Sequence, residues 1–518
     1  MTPLAHARQQ TMKDTQRPAF AADARLLSVA MWCLVIVAFA NAMLHVLEVC
    51  RPLISSDYWM WVDPFLPDAV NGQLDLGNFL VKRAGVDHAQ PLNRLVMLIL
   101  YRYFDLDFMV EGILSMLFGL AALMALYRAI VADAPREGRD LTFHALFVAV
   151  AAVFFSLNTS MIYSYSIVTT WFSLYLFVFL QAWLAWRVLD GRAWWPFALV
   201  CFAYGIIGDD SALMLGAAFV PGVALYAWRT RQVRRPILVL ALLGAALIAC
   251  RLVYLQYGTI VGSTQAVFNQ PLSARVLALA ADWREAWRWI VIPAASGIAD
   301  VFALQTMFGS LWQSVQLFVA ALVCGAHVWF WWAALRLRVG SAWFSAVIVM
   351  LLFYAHVAAL LFGRVAAKGV SYLEQPRYVS FYQLGIVALL VMAMAWRLEH
   401  GGAARRRWLV FVALALIAIQ IPLSLQARLR EPSLQAANRA MAATTAAVAR
   451  DPRHPPAGCN LKVCTIPVES RVRMMALLQE HQLSLFSPRF QRRHPDLAEA
   501  AGLRATDSPA PLPAQRDR

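Results

Sequence analysis

The sequence predicts an all-α polytopic membrane protein of about eleven transmembrane helices. Three observations carry that expectation. The chain of 518 residues is 61% hydrophobic and only 14% charged, with mean hydropathy +0.58, against roughly 45–50% and about 25% in soluble domains. The apolar excess is gathered into runs of about 18–25 residues, long enough to cross a hydrocarbon core of about 30 Å as helices. These runs are apolar on every side, as in "LFVAVAAVFFSL", which excludes the alternating pattern of a membrane β-barrel.

The formal net charge of +15 does not point to nucleic acid. Most arginine clusters sit in short gaps between apolar runs, where retained positive charge sets orientation. Residues 1–25, with Arg8, Lys13, Arg17 and Arg25, read as a cytoplasmic segment. They lead into a full-length span, unlike a cleavable signal peptide.

The spans follow in order. The first is Leu26–Val49, after which residues 50–107 form a loop expected outside the cytoplasm. Within that loop "PLNRLVMLILYRYF", Pro91–Phe104, is short for a span and flanked by arginine and tyrosine, so it reads as an interfacial helix. Further spans are expected at Phe108–Val131, Leu141–Leu157, Trp171–Val188, Pro196–Gly208, Ala212–Trp228 and Pro236–Tyr257. A mixed outer segment, Gly258–Ser310, includes the tryptophan-rich "ARVLALAADWREAWRWIV", which suits the interface. The last spans are Leu311–Leu335, Ser341–Phe362, Val379–Trp396 and Trp408–Leu425. An odd count places every arginine-rich gap on the cytoplasmic side and the C-terminus on the periplasmic side of a bacterial inner membrane.

The organisation is therefore a transmembrane region over 26–425 and a periplasmic tail over 426–518. In the tail, "SLQAANRAMAATTAAVAR" and "SRVRMMALLQEHQL" read as soluble helices, and the Pro- and Ala-rich end as disordered. Of seven cysteines, Cys459 and Cys464 in "GCNLKVC" are expected to form a local disulfide in an oxidising compartment. Zinc at this pair is the alternative, but no second cysteine pair completes a four-ligand set.

Four constellations are candidates for chemistry. Asp57 follows the first span, flanked by Tyr58, Trp59 and Trp61. It reads either as a carboxylate held at the membrane surface to take a proton from an acceptor hydroxyl, or as a helix cap in "SSD". His88 and Arg94, in "DHAQPLNR", lie at the start of the interfacial helix and form an anion site, or pair with ordinary phospholipid headgroups. Asp209 and Asp210 sit together at a hairpin tip. They read as ligands for sugar hydroxyls, an arginine or a divalent ion, or as a solvated tip. Arg377 and Tyr378, in "GRVAAKGVSYLEQPRYVSFY", stand before a span as phosphate ligands or as interface anchors. Glu111, Arg251 and Asp300 are further charges near spans. Nucleotide-binding loops, Rossmann glycines, nucleophile elbows and zinc-protease motifs are missing from the sequence. No cofactor is called for, and a divalent metal is compatible but not required.

The arrangement resembles the polytopic glycosyltransferases of the GT-C superfamily, which include protein O-mannosyltransferases, lipid A aminoarabinose transferases and rhizobial lipopolysaccharide transferases. Asp57 stands where that family carries an acidic residue soon after its first span. "HAQPLNRLVMLILYRYFDLDF" stands where its Pro-Pro-Leu approach leads into the next span, and "AYGIIGDDSALMLGAAFVPGVALYAWR" resembles its Gly-rich middle hairpin. Here the first loop carries a lone Asp-Tyr, Gln90–Pro91 replaces the double proline, and Asp209–Asp210 replaces a common Lys-Gly.

Membership would imply a polyprenyl-phosphate-linked sugar donor and a glycan or lipid acceptor at the periplasmic face. Asp57 would act as base, with Asp209 and Asp210 beside it, and Arg94, Arg377, His88 and Tyr378 on the substrate. Two other functions fit the same layout less well. A transporter or flippase needs midplane charges and commonly an inverted repeat. A lipid-linked polysaccharide polymerase or ligase places its large loop later in the chain.

Overall fold

The computed structural model describes residues 3–56, 58–83, 91–132, 134, 139–165, 169–208, 211–258, 260–261, 271–400 and 403–503. The described chain is helical almost throughout. Its one sheet is a parallel pairing of two-residue strands, Lys82–Arg83 with Ile260–Val261.

In chain order the helices are α1 (Pro3–Val49), α2 (Tyr58–Val70), α3 (Leu76–Phe79), α4 (Pro91–Phe104), α5 (Phe108–Ile130), α6 (Leu141–Phe154) and α7 (Ser160–Tyr163). They continue as α8 (Thr169–Leu189), α9 (Trp195–Gly208), α10 (Ser211–Thr230), α11 (Arg234–Tyr257), α12 (Leu272–Ala281), α13 (Ala286–Ser296), α14 (Val301–Phe308) and α15 (Trp312–Arg336). The remainder are α16 (Ser341–Leu360), α17 (Ala366–Lys368), α18 (Val379–Glu399), α19 (Ala403–Arg450), α20 (Lys462–Thr465), α21 (Val468–Glu480), α22 (Pro488–Arg493) and α23 (Pro495–Ala500).

Among the described residues nine helical stretches are long and apolar enough to cross a membrane, so the chain is a multi-pass membrane protein. Helices satisfy every backbone group internally, which hydrocarbon demands. All eleven segments expected from the sequence are helical. Two of them, α6 and α9, have only 14 residues each, about 21 Å at 1.5 Å per residue. α6 is buried almost all round, against α1, α18 and α19, so it is a core helix that meets protein rather than lipid. Asp107 and Asp140 cap α5 and α6 by accepting the amides of Met109 and Phe143.

The first and last long helices run parallel. Asn41 donates to Ser424, His45 bonds Glu431, and Gln435 and Asn438 donate to Glu48 and to the carbonyl of Val49. Both sequences therefore advance in one direction along the contact, which requires an odd number of crossings from α1 to α19. α5 returns against α1, and Gly112 lets the two approach closely. A Cβ there would lie 2.6 Å from the Cys50 sulfur.

The arginine-rich gaps gather at one end of the bundle. Arg397 pairs with Asp140 at 2.6 Å, Arg229 donates to the carbonyls of Ala334 and Leu337, Arg235 to that of Leu189, and Ser341 to that of Ile130. The opposite end carries the described residues of 50–107 and of the tail, and buried apolar side chains from both form one cluster. The expected break after Leu425 does not occur. α19 runs on through Pro432 to Arg450 and carries the tail with it. Met474, Met475 and Leu478 of α21 are fully buried against Val62, Phe65 and Leu66 of α2 and Met97 and Leu100 of α4. Each such side chain contributes about 1.5–3 kcal/mol.

Candidate functional site

The first loop's aspartates mostly hold the fold. Asp63 accepts from Ser470 and pairs with Arg473 at 2.6 Å. Asp68 accepts from Asn78, and Asp75 caps α3. Asp105 accepts from Ser487 at 2.9 Å. Asp107, only 2% exposed, takes Arg493 and His494 of the tail, both at 3.0 Å. Glu111 is buried and accepts from Tyr58 and Asn93. Asp300 caps α14 through the amide of Ala303 while Asn158 receives its own amide, and burial raises its carboxyl pKa. Arg251 is exposed on α11.

Asp57, His88, Asp209 and Asp210 lie outside the described residues. Tyr58, next to Asp57, receives a hydrogen bond from Asn93 of α4. Arg94, one residue on, lies close enough to Tyr254 for electrostatic interaction. The Tyr254 hydroxyl donates to the carbonyl of Ile206, three residues before Asp209.

Arg94 itself is turned to a structural task. It is 3% exposed, and it donates to the carbonyls of Asn78 and Phe79 at 2.9 and 3.0 Å, closing the end of α3. Burial lowers its pKa to about 10, so it stays a cation at neutral pH. No carboxylate pairs with it among the described residues.

Arg377 is held differently. It sits just before α18 with its guanidinium carbon 5.3 and 5.1 Å from the ring centres of Tyr372 and Tyr378, a cation–π arrangement. It donates to the Tyr372 hydroxyl, and its Nε is buried without a hydrogen-bond partner. Glu374, the nearest acid in sequence, is bonded to Arg288 at 2.7 Å instead. Among the described residues Arg377 has no carboxylate partner.

Tyr378 stacks on Phe381, which abuts Trp171, and α7 packs against the Pro376–Tyr378 turn. Trp171 and Ser380 line a small cavity with Tyr163 and Tyr175 between α6, α8 and α18. It holds about 10 Å³, space for about one water. All four of these residues have a buried polar side-chain atom without a hydrogen-bond partner. The hydroxyls of Tyr175 and Ser380 interact at a distance without meeting hydrogen-bond geometry. Leaving a buried donor unpaired costs about 1–3 kcal/mol, and a single water, for which the cavity has room, would serve these groups. A cation without a counterion, aromatic faces and hydroxyl and indole donors are the groups that hold a phosphate and a sugar hydroxyl.

Arg94 and Arg377 share no partner among the described residues, so the two arginines grouped by sequence stand in separate surroundings. The structure joins Cys459 to Cys464. Among the described residues no group of three or more His, Cys, Asp or Glu is placed to hold a metal ion. A cleft of about 420 Å³ at the arginine-rich end is lined by Arg128, Arg139 and Arg187. There Asp190 pairs with Arg192 and Arg139 is bonded to backbone carbonyls.

Sequence reasoning did not single out Tyr163, Trp171, Tyr175 and Ser380. The one signal was the tyrosine-rich gap "NTSMIYSYS" between two apolar runs. No protein-family model, no characterised protein and no solved structure matches the chain.

Proposed function

We propose that the chain is a GT-C-type membrane glycosyltransferase. It moves a sugar from a polyprenyl-phosphate-linked donor to a cell-envelope glycan or lipid acceptor. The tail-bearing end faces the periplasm of a bacterial inner membrane and the arginine-rich end the cytoplasm. The observation that carries the reading is Arg377, a cation without an acid partner among the described residues, framed by two tyrosines and with its Nε buried without a hydrogen-bond partner. An anionic group with attached hydroxyls completes such a site, and a lipid phosphate linked to a sugar supplies both.

In this reaction Asp57 accepts the proton of the attacking acceptor hydroxyl. The acceptor oxygen bonds to the anomeric carbon as the bond from that carbon to the phosphate oxygen breaks. Arg377 stabilises the negative charge left on the departing phosphate. A single displacement of this kind inverts the anomeric centre and needs no covalent enzyme intermediate. Asp209, Asp210 and His88 orient sugar hydroxyls and the donor headgroup.

The test is a strain lacking the gene, complemented with Asp57→Ala or Arg377→Gln at matched membrane levels. Both variants are expected to leave the envelope glycans as the deletion does. Wild-type glycans from both, where the deletion alters them, would remove the assignment. A transporter or flippase would instead let the lipid-linked sugar accumulate on the cytoplasmic side in the deletion strain.

A further inference from the structure

A second cleft, of about 340 Å³, opens where the first loop meets the tail. Arg51 and Ser55 line it from the start of the first loop, Tyr165 from the loop after α7, Thr445 from α19, and Asn460 and Lys462 from the disulfide loop. Among the described residues the charges lining it have one sign. Arg51 lies over the Tyr165 ring at 4.4 Å and Lys462 is half-buried. Neither has a carboxylate partner among the described residues, and among those residues no acidic side chain lines the cleft.

Thr445 points to a ligand independently. Its neighbour Thr444 donates back to the carbonyl of Ala440 at 2.8 Å, the usual way a helical threonine satisfies its hydroxyl. Thr445 is 5% exposed and its hydroxyl has no partner. Ser56, on the cleft's rim, holds φ +50°, a left-handed conformation uncommon outside glycine and found more often at functional sites.

The wall carrying Lys462 is fixed in advance. The Cys459–Cys464 bond brackets it. Arg471, 3% exposed, donates to the carbonyls of Pro452, Arg453, Cys464 and Ile466 and pins the same loop. A short disulfide loop adds little through chain entropy, so its effect here is on shape. A wall ordered before binding removes part of the ordering cost when a ligand arrives.

We propose that this cleft binds a phosphate ester, borne on a saccharide or on a lipid headgroup. The two cations supply the charge, and the Thr445 hydroxyl and Asn460 amide supply donors for the remaining oxygens. The inference does not depend on the transferase reading and survives its failure.

The experiment uses the full chain in nanodiscs of phosphatidylcholine. Glucose 1-phosphate is titrated by calorimetry, with glucose as the uncharged control, and phosphatidic acid is offered in the nanodisc and scored by native mass spectrometry. Saturable binding of glucose 1-phosphate assigns the cleft to soluble esters. Retention of phosphatidic acid alone assigns it to a headgroup. In either case Lys462→Gln and Arg51→Gln each weaken binding about tenfold, Thr445→Val weakens it several-fold, and added salt weakens it in the wild type. Binding of neither probe to the wild-type chain overturns the proposal, as does undiminished binding in Lys462→Gln. Should Arg51→Gln fail to fold, Lys462→Gln decides the matter alone, because its side chain sits on a loop held by other groups.

Discussion

The joint between the first loop and the tail treats charge in the opposite way to the Arg377 region. Away from the cleft of Arg51 and Lys462, the ions of the joint are partnered: Asp107 takes Arg493 and His494, Asp63 takes Arg473, and Arg471 is spent on four carbonyls. Around Arg377 a cation lacks an acid among the described residues, and its Nε is buried without a hydrogen-bond partner. The two regions lie at the same end of the bundle, one built from acid–base pairs and the other from an arginine among aromatic rings. What separates a structural cluster from a binding site here is satisfaction of polar groups as well as composition. Arg94 stands between the two: one guanidinium nitrogen closes the end of α3, while its Nε is buried without a hydrogen-bond partner.

Four substitutions press on this comparison. The largest effect is expected for Arg471→Ala, which strands buried carbonyls at the base of the tail. It should cost about 3 kcal/mol or more of stability and lower the midpoint of thermal unfolding in detergent. Arg377→Gln should reduce sugar transfer at least about a hundredfold, or about 2.7 kcal/mol of transition-state stabilisation, while leaving that midpoint nearly unchanged. A parallel fall in stability would make Arg377 one more structural residue.

Asp107→Asn keeps a capping oxygen for α5 but loses the charge that holds Arg493 and His494. About 2 kcal/mol is expected, read as faster proteolysis of the segment after Ser484 with α1–α19 intact. The smallest effect is expected for Asp63→Asn. Its partner Arg473 is 55% exposed, and an exposed pair is worth about 0.2–1 kcal/mol. A large loss there would show that the joint is more cooperative than its separate contacts.

Nine of the eleven expected spans are helices long and apolar enough to cross a membrane, legible because length and hydropathy are local properties, while Leu141–Phe154 and Trp195–Gly208 have 14 residues each. Each expected span is a helix, and Pro91–Phe104 is a helix over the same residues, since proline starts it and its apolar face is periodic. The continuity of α19 was not legible. Composition changes at Gln426, but alanine-rich sequence on the far side keeps the backbone helical. The change of composition marks where the helix leaves the bundle, not where it stops. The roles of Arg94, Asp63 and Asp107 were hidden because their partners lie 15 to 410 residues away, and no local spacing encodes those pairings. The Tyr163–Ser380 cavity was hidden for the same reason: its polar atoms belong to separate helices and acquire meaning only when packing brings them together.

The most direct test of the account is retention of a polyprenyl phosphate by the purified full chain, measured by native mass spectrometry. Wild-type protein and Arg94→Gln, where the latter folds, should carry the lipid, and Arg377→Gln should lose it while keeping the wild-type unfolding midpoint. Equal retention by wild type and Arg377→Gln would contradict the claim that unsatisfied polar groups around Arg377 mark the substrate site.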